Sequence, residues 1–125
     1  MKANSKKARS APYKNESHLQ TLIIKNYREL FPRMRYRLWA IPNGGFRFIS
    51  TAKKLKAEGA LSGVWDLFFS VPIGEFGGLF IECKYGYNKL TDEQIIFREQ
   101  NPEYQYVVVW TVGEAIDAIQ KYFAK

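Results

Sequence analysis

Two stretches of this chain have the composition of buried strands, yet each carries ionisable side chains in its interior. "VWDLFFSV" (64–71) holds Asp66, and "GLFIECKY" (78–85) holds Glu82 and Lys84 on either side of Cys83. Side chains two apart on a strand share a face, so Phe80, Glu82 and Lys84 project together, and the short "PIGEFG" connection folds the Asp66 strand against them as a hairpin. Isolated charges cost too much to bury, so such a cluster must be paired, hydrated or bound to metal. One reading is a structural ion pair of Lys84 with Asp66 or Glu82. The other makes both carboxylates hard oxygen ligands for Mg²⁺, with Lys84 beside a water nucleophile or a scissile phosphate. Phosphodiester hydrolysis needs all of these groups at once, since carboxylates fix the cation and a lysine orients water or offsets developing charge.

Elements that position these residues follow from periodicity. Leu19, Leu22, Ile23, Tyr27 and Leu30 recur at steps of three and four, predicting a helix from Asn15 to Phe31, capped by Asn15 or Ser17 and stopped before Pro32. Glu16 and Gln20 fall on the stripe of Ile23 and Tyr27, which aims a third carboxylate at the sheet, although an acid in a first helical turn also suits the helix dipole. "MRYRLWAI" alternates Arg33, Arg35 and Arg37 against Met34, Tyr36 and Leu38, the pattern of a half-buried strand with a basic outer face, ending at Pro42 and "NGG". "STAKKLKAEG" predicts a short helix with Ser50 or Thr51 as cap and Gly59 at its end. "TDEQ" (91–94) has the form of a capping box, Thr91 with Gln94, opening a helix to about Asn101. "YQYVVVWT" is a β-branched, aromatic strand, and "GEAIDAIQKYF" an amphipathic closing helix. The order α β α β β α β α predicts an α/β fold, a mixed sheet flanked by helices, and the strands at 64–71 and 78–85 read as central ones.

Composition narrows the classes. At 125 residues, 46% hydrophobic and 16% aromatic, the chain makes one globular domain with a real core. No stretch reaches the roughly 20 apolar residues of a membrane span, and the N-terminus lacks the apolar segment of a secretory signal, so a cytoplasmic protein without membrane association is expected. One cysteine and one histidine exclude an internal disulfide and a zinc finger. Cys83 should point to the opposite face from Glu82 and Lys84 as a packed thiol, and His18 lies one residue off the Glu16 stripe, so both read as structural. Ser62 and Gly63 read as shaping the start of the Asp66 strand. The net charge of +7 is uneven, because residues 1–14 carry Lys2, Lys6, Lys7, Arg9 and Lys14 and no acid. That segment reads as a flexible basic tail before a domain at 15–125, suited either to polyanions or to solubility alone.

The ordered set of the Glu16 helix, "IPNGG" before Arg47, "GALSGVWD", "LFIECK" and Gln94 is similar to the virus-type replication-repair nuclease (VRR-NUC) family of the PD-(D/E)XK nuclease superfamily, over roughly residues 15–125. Trp65 departs from the pattern, standing where the superfamily name places proline. The resemblance implies a restriction-endonuclease-like αβββαβ core. It implies a metal-dependent DNA endonuclease using Mg²⁺ or Mn²⁺, with Asp66, Glu82 and the backbone carbonyl of Cys83 as metal ligands and Glu16 approaching directly or through water. Lys84 would assist the nucleophile, and Gln94 would orient water or DNA. Basic groups bordering this face, Arg47, Lys53, Lys54 and Lys56, would contact phosphates, with Asn43 at the same rim. No base-reading element is evident, so DNA shape or branching is the expected substrate feature. Short stand-alone relatives resemble homodimeric resolvases of four-way (Holliday) junctions. A flap or duplex nuclease shares every residue named here, and a non-catalytic nucleic-acid-binding module would keep the cluster as ion pairs only.

Overall fold

The computed structural model describes residues 13–42 and 49–125, with the side chains of 49–51 left out. Asn43 and Arg47 therefore lie outside the described residues, as does nearly all of the basic N-terminal segment. Nine elements follow one another: α1 (Glu16–Leu30), a 3₁₀ segment (Pro32–Arg37), β1 (Leu38–Ala40), α2 (Ile49–Ala57), β2 (Leu67–Phe69), β3 (Leu79–Cys83), α3 (Asp92–Gln100), β4 (Gln105–Val109) and α4 (Val112–Phe123). The four strands form one sheet in the order β1-β2-β3-β4, the first two pairings antiparallel and β3–β4 parallel. This is a mixed α/β sheet, and β2 and β3 are its central strands as the sequence predicts.

Alternation along the strands divides the sheet into two faces. Leu38, Leu67, Phe69, Leu79, Ile81, Cys83 and Val109 meet Leu19, Ile23 and Tyr27 of α1 and Ala115, Ile119 and Tyr122 of α4 in the main core. Cys83 is thus buried among apolar side chains, and desolvation with the nearby acidic charges drives its thiol far above the usual value. It is a packed thiol, as expected. Tyr13 packs on the same core and its hydroxyl accepts the Val112 N–H at 3.1 Å, which fastens the chain just before α1 to the start of α4.

The opposite face is aromatic. Trp39, Phe68, Phe80 and Tyr106 are register partners across all four strands, and their rings touch in sequence. Phe97 of α3 packs edge-on against Phe80, so the β3–α3–β4 crossover covers this face.

Two elements differ from expectation. The basic strand begins only at Leu38, because Pro32 opens a 3₁₀ turn in which Met34 is consumed locally: its N–H donates to Phe31 O at 3.0 Å and its carbonyl accepts the Tyr27 hydroxyl at 2.7 Å. With those groups taken, the Arg/Met/Tyr alternation cannot join a ladder, and Tyr36 is exposed rather than half-buried. Helix α2 starts at Ile49, which places Ser50 and Thr51 inside its first turn instead of at the cap. The remaining helix signals hold: Asn15 caps α1 through the His18 N–H, and the Thr91/Gln94 capping box is complete.

Gly63 sets the approach of the Asp66 loop to α3. Its φ is +100°, and a Cβ there would lie 2.6 Å from the carbonyl oxygen of Glu93. Gly59 also has a positive φ, +106°, but open space around it. Both Gly→Ala changes incur backbone strain on the order of 1–3 kcal/mol. Gly63→Ala is expected to add a backbone clash and melt several degrees below Gly59→Ala in thermal denaturation. Equal melting temperatures for the two variants would contradict this packing.

Candidate active site

Asp66 immediately precedes β2, and Glu82 and Lys84 lie at the end of β3, on the aromatic face. The backbone itself clasps the two carboxylates together. The Asp66 N–H donates to Glu82 Oε1 at 3.1 Å, and the Cys83 N–H donates to Asp66 Oδ2 at 2.9 Å. Each acid thus accepts from the strand that carries the other, so the antiparallel pairing of β2 with β3 fixes their spacing.

Glu82 is 2% exposed, Lys84 5% and Gln94 9%, and these three form a closed triangle. Lys84 Nζ lies 3.3 Å from Glu82 Oε2 and donates to Gln94 Oε1 at 3.1 Å, while Gln94 Nε2 donates to Glu82 Oε2 at 2.6 Å. Gln94 Oε1 also accepts the Thr91 N–H at 2.9 Å. The carboxamide therefore has one workable orientation, its oxygen toward two donors and its NH₂ toward a carboxylate. The side chain that completes the α3 capping box is the same one that positions Glu82 and Lys84. Both acceptor positions of Gln94 Oε1 are taken, by Lys84 and Thr91, and among the described residues Nε2 keeps one N–H beyond its bond to Glu82, so the residue positions Glu82 and Lys84 and retains a donor. Among the described residues, Lys84 keeps one of three ammonium hydrogens uncommitted. It lines a cleft of about 350 Å³ with Asn88, Lys89 and Trp110.

Trp65 replaces the proline of the resembled pattern with a function of its own. It is fully buried, its indole N–H donates to the Gln94 carbonyl at 3.1 Å, and its ring sits edge-on to Tyr106. A buried indole needs an acceptor, and here that need ties the Asp66 loop to the first turn of α3. Glu16 stands at the rim: half-buried at the start of α1, it accepts the Asn88 side-chain N–H at 2.7 Å, and its charge reaches Asp66. The sequence carries no signal for this Asn88 contact, which joins residues 72 apart. His18 is occupied locally, its Nδ1 accepting the Lys14 N–H at 3.1 Å. Lys53, Lys54 and Lys56 are exposed along α2.

Electrostatically the site is overloaded with negative charge. Burial, then the Asp66 charge, push the Glu82 carboxyl up to about 7 against the opposing pull of Lys84 and Gln94. Burial, then Glu16 among the neighbouring charges, raise Asp66, although the Cys83 N–H bond opposes the shift. Two hard, close, charge-strained carboxylates suit a divalent cation of the Mg²⁺ class. Among the described residues no three His, Cys, Asp or Glu side chains form a metal cage. The side chains' share of such a site would be Asp66 and Glu82, with other oxygens completing the shell as Mg²⁺ tolerates.

No family model and no curated protein matches the chain. Among solved structures, one described as a VRR_NUC domain protein aligns with a TM-score of 0.71 over 88% of this chain and 88% of its own, at 24% sequence identity. The likeness establishes a shared fold, the restriction-endonuclease-like α/β arrangement that the sequence predicts. No helix among the described residues is long and apolar enough to cross a membrane.

A raised acid pKa has a definite sign for stability. Folded Glu82 keeps its proton up to about pH 7, whereas its ordinary value is 4.5. Stability from this group is therefore greatest below 4.5, falls as pH rises, and is lowest above about 7. Asp66→Asn removes one cause of the shift while keeping an acceptor for the Cys83 N–H. In metal-free buffer at pH 8 the variant is expected to be more stable than wild type by about 1 kcal/mol, with the gap narrowing toward pH 5. A variant less stable at pH 8 would contradict the mutual repulsion described here.

Proposed function

We propose that this chain is a VRR-NUC nuclease of the PD-(D/E)XK superfamily, a divalent-metal-dependent, structure-selective DNA endonuclease that hydrolyses phosphodiester bonds. The observation that carries this reading is the pairing of half-buried Asp66 with buried Glu82, with Lys84 held beside them. A structural ion pair alone would need one acid, and here two are forced together at a cost. Bound between them, Mg²⁺ or Mn²⁺ would polarise a phosphoryl oxygen and acidify water. Asp66 and Glu82 would hold that ion, with the Cys83 carbonyl beside them and Glu16 reaching it directly or through water. Lys84, kept in place by Glu82 and Gln94, offers its remaining N–H to the attacking water or the phosphate. Lys53, Lys54 and Lys56, with Arg47 and Asn43, would hold the DNA backbone at the rim.

For the substrate, a four-way junction cut by a homodimer is the reading we favour, in a cytoplasmic setting. Flap or duplex cleavage by the same residues is the alternative.

The test is cleavage of labelled four-way junction, flap, linear duplex and single-stranded DNA with Mg²⁺, Mn²⁺ or EDTA. Wild type is expected to cut the junction only with metal. Lys84→Ala, folded by circular dichroism, should lose at least about a hundredfold in rate. Added Mg²⁺ should also raise the melting temperature of wild type at pH 8 but not that of Asp66→Asn. A protein that binds these DNAs, cuts none with any metal, and gains no thermal stability from Mg²⁺ would make the cluster structural and the catalytic assignment wrong.

A further inference from the structure

The edge of the sheet beside the Asp66 site has a composition that the cleavage chemistry does not explain. From Pro32 to Ala40 the chain exposes Arg33, Arg35, Tyr36, Arg37 and Trp39. Tyr36 is 88% exposed and Trp39 46%. Between Glu29 and Glu58 the sequence has seven basic side chains and no acidic one. Large aromatic surface is normally the first thing a fold buries, and here it is interleaved with arginine along the 3₁₀ segment and the outer strand that follows it.

Trp39 is not loosely displayed. Its indole N–H reaches Ser70 Oγ at 3.4 Å, and its ring meets Phe68 edge-on with centroids 5.3 Å apart. Arg37 is also held, its Nη1 donating to Ser70 O at 2.6 Å. Through Phe68, Phe80 and Tyr106 the ring stands on a row of aromatics that crosses the sheet. Such a preorganised, half-open ring loses little entropy when a flat partner stacks on it.

Register puts this ring next to the chemistry. The Ile41 N–H donates to Asp66 O at 2.8 Å, continuing the β1–β2 ladder in which Trp39 pairs with Phe68. Asp66, just before β2, and Phe68 within it are two apart along an extended run and share the aromatic face. Trp39 therefore stands about 8 Å from Asp66, one strand across and two residues along. That separation suits the nucleotide neighbouring the one whose phosphate is cut.

We infer that Trp39 of β1, with Tyr36, Arg33, Arg35 and Arg37 of the 3₁₀ segment leading into it, forms a stacking platform for an unpaired nucleic-acid strand leading into the Asp66–Glu82 site. Aromatic stacking combined with arginine contacts is how proteins hold single strands without reading sequence, and paired bases inside a duplex offer no such face. A second copy of this chain fits the edge less well, because a symmetric contact would bring arginines against arginines with no acid from the same segment between them. The inference deepens the nuclease reading and rests on it for the direction of the strand, while the surface itself is testable without cleavage.

The experiment measures binding of labelled oligo(dT) and of a matched linear duplex in EDTA, by anisotropy, for wild type, Trp39→Ala and Trp39→Phe. Intrinsic fluorescence reports stacking by comparison, since Trp65 is fully buried and Trp110 is half-buried beside Lys84, so quenching present in wild type and lost in Trp39→Phe belongs to Trp39. Oligo(dT) should quench the emission. Trp39→Ala should bind oligo(dT) about tenfold more weakly while duplex binding stays within twofold, and Trp39→Phe should recover most of the loss. In the cleavage assay, Trp39→Ala should slow any cutting of the flap, whose arm is unpaired, more than any cutting of matched duplex. Oligo(dT) binding unchanged in Trp39→Ala would overturn the platform. So would a shift of Trp39→Ala from dimer to monomer in light scattering with oligo(dT) binding intact, which would make the edge a self-interface. If wild type cuts no DNA yet Trp39 still governs oligo(dT) binding, the nuclease reading fails and the platform stands.

Discussion

Everything at the centre of this molecule depends on keeping a carboxylate, Glu82, in the interior of a small sheet. A buried, ionised acid is tolerated only when each oxygen is satisfied and a counter-charge is close. Glu82 obtains this from three separate elements: the backbone before β2, the carboxamide at the start of α3, and the ammonium two residues along its own strand. Those demands explain much of the architecture around it. The β2–β3 hairpin must be antiparallel and in this register for Asp66 and Glu82 to accept from each other's strand. The first turn of α3 must lie against the Asp66 loop, which Gly63 permits by having no side chain and Trp65 enforces by its bond to the Gln94 carbonyl.

The arrangement is satisfied in hydrogen bonds but not in charge. One cation, Lys84, faces two acids, and Glu16 adds to the negative side. A protein built only for stability would gain by exchanging one of these acids for a neutral side chain. The presence of two acids against one cation is the physical argument for a bound metal ion, and it sets the cost of function against the stability of the empty fold.

Much of this was legible in the sequence because the signals were local. The capping box at Thr91 and the Asn15 cap follow from spacing and are where the sequence places them, and Glu82 lies inside its strand, whereas β2 and β3 are shorter than the apolar runs and leave Asp66 just before one and Lys84 just after the other. What escaped depends on contacts distant along the chain. The Asn88 bond to Glu16 and the Trp65 bond to Gln94 leave no periodic trace. The Arg/Met/Tyr alternation before β1 mimics a strand, but a tyrosine seven residues upstream of Met34 claims its carbonyl. Gln94 was legible in part for a related reason: its spacing reveals a helix cap, whereas its bonds to Glu82 and Lys84 appear only when α3 lies over β3.

The central claim is that Asp66 and Glu82 are held together for a divalent cation. The most direct measurement is anomalous diffraction from crystals of the wild-type protein grown with Mn²⁺. The account predicts a peak within about 2.0–2.3 Å of oxygens from both Asp66 and Glu82, with Gln94 and Lys84 still bonded to Glu82. A map with no peak between the two carboxylates at saturating Mn²⁺ would contradict it.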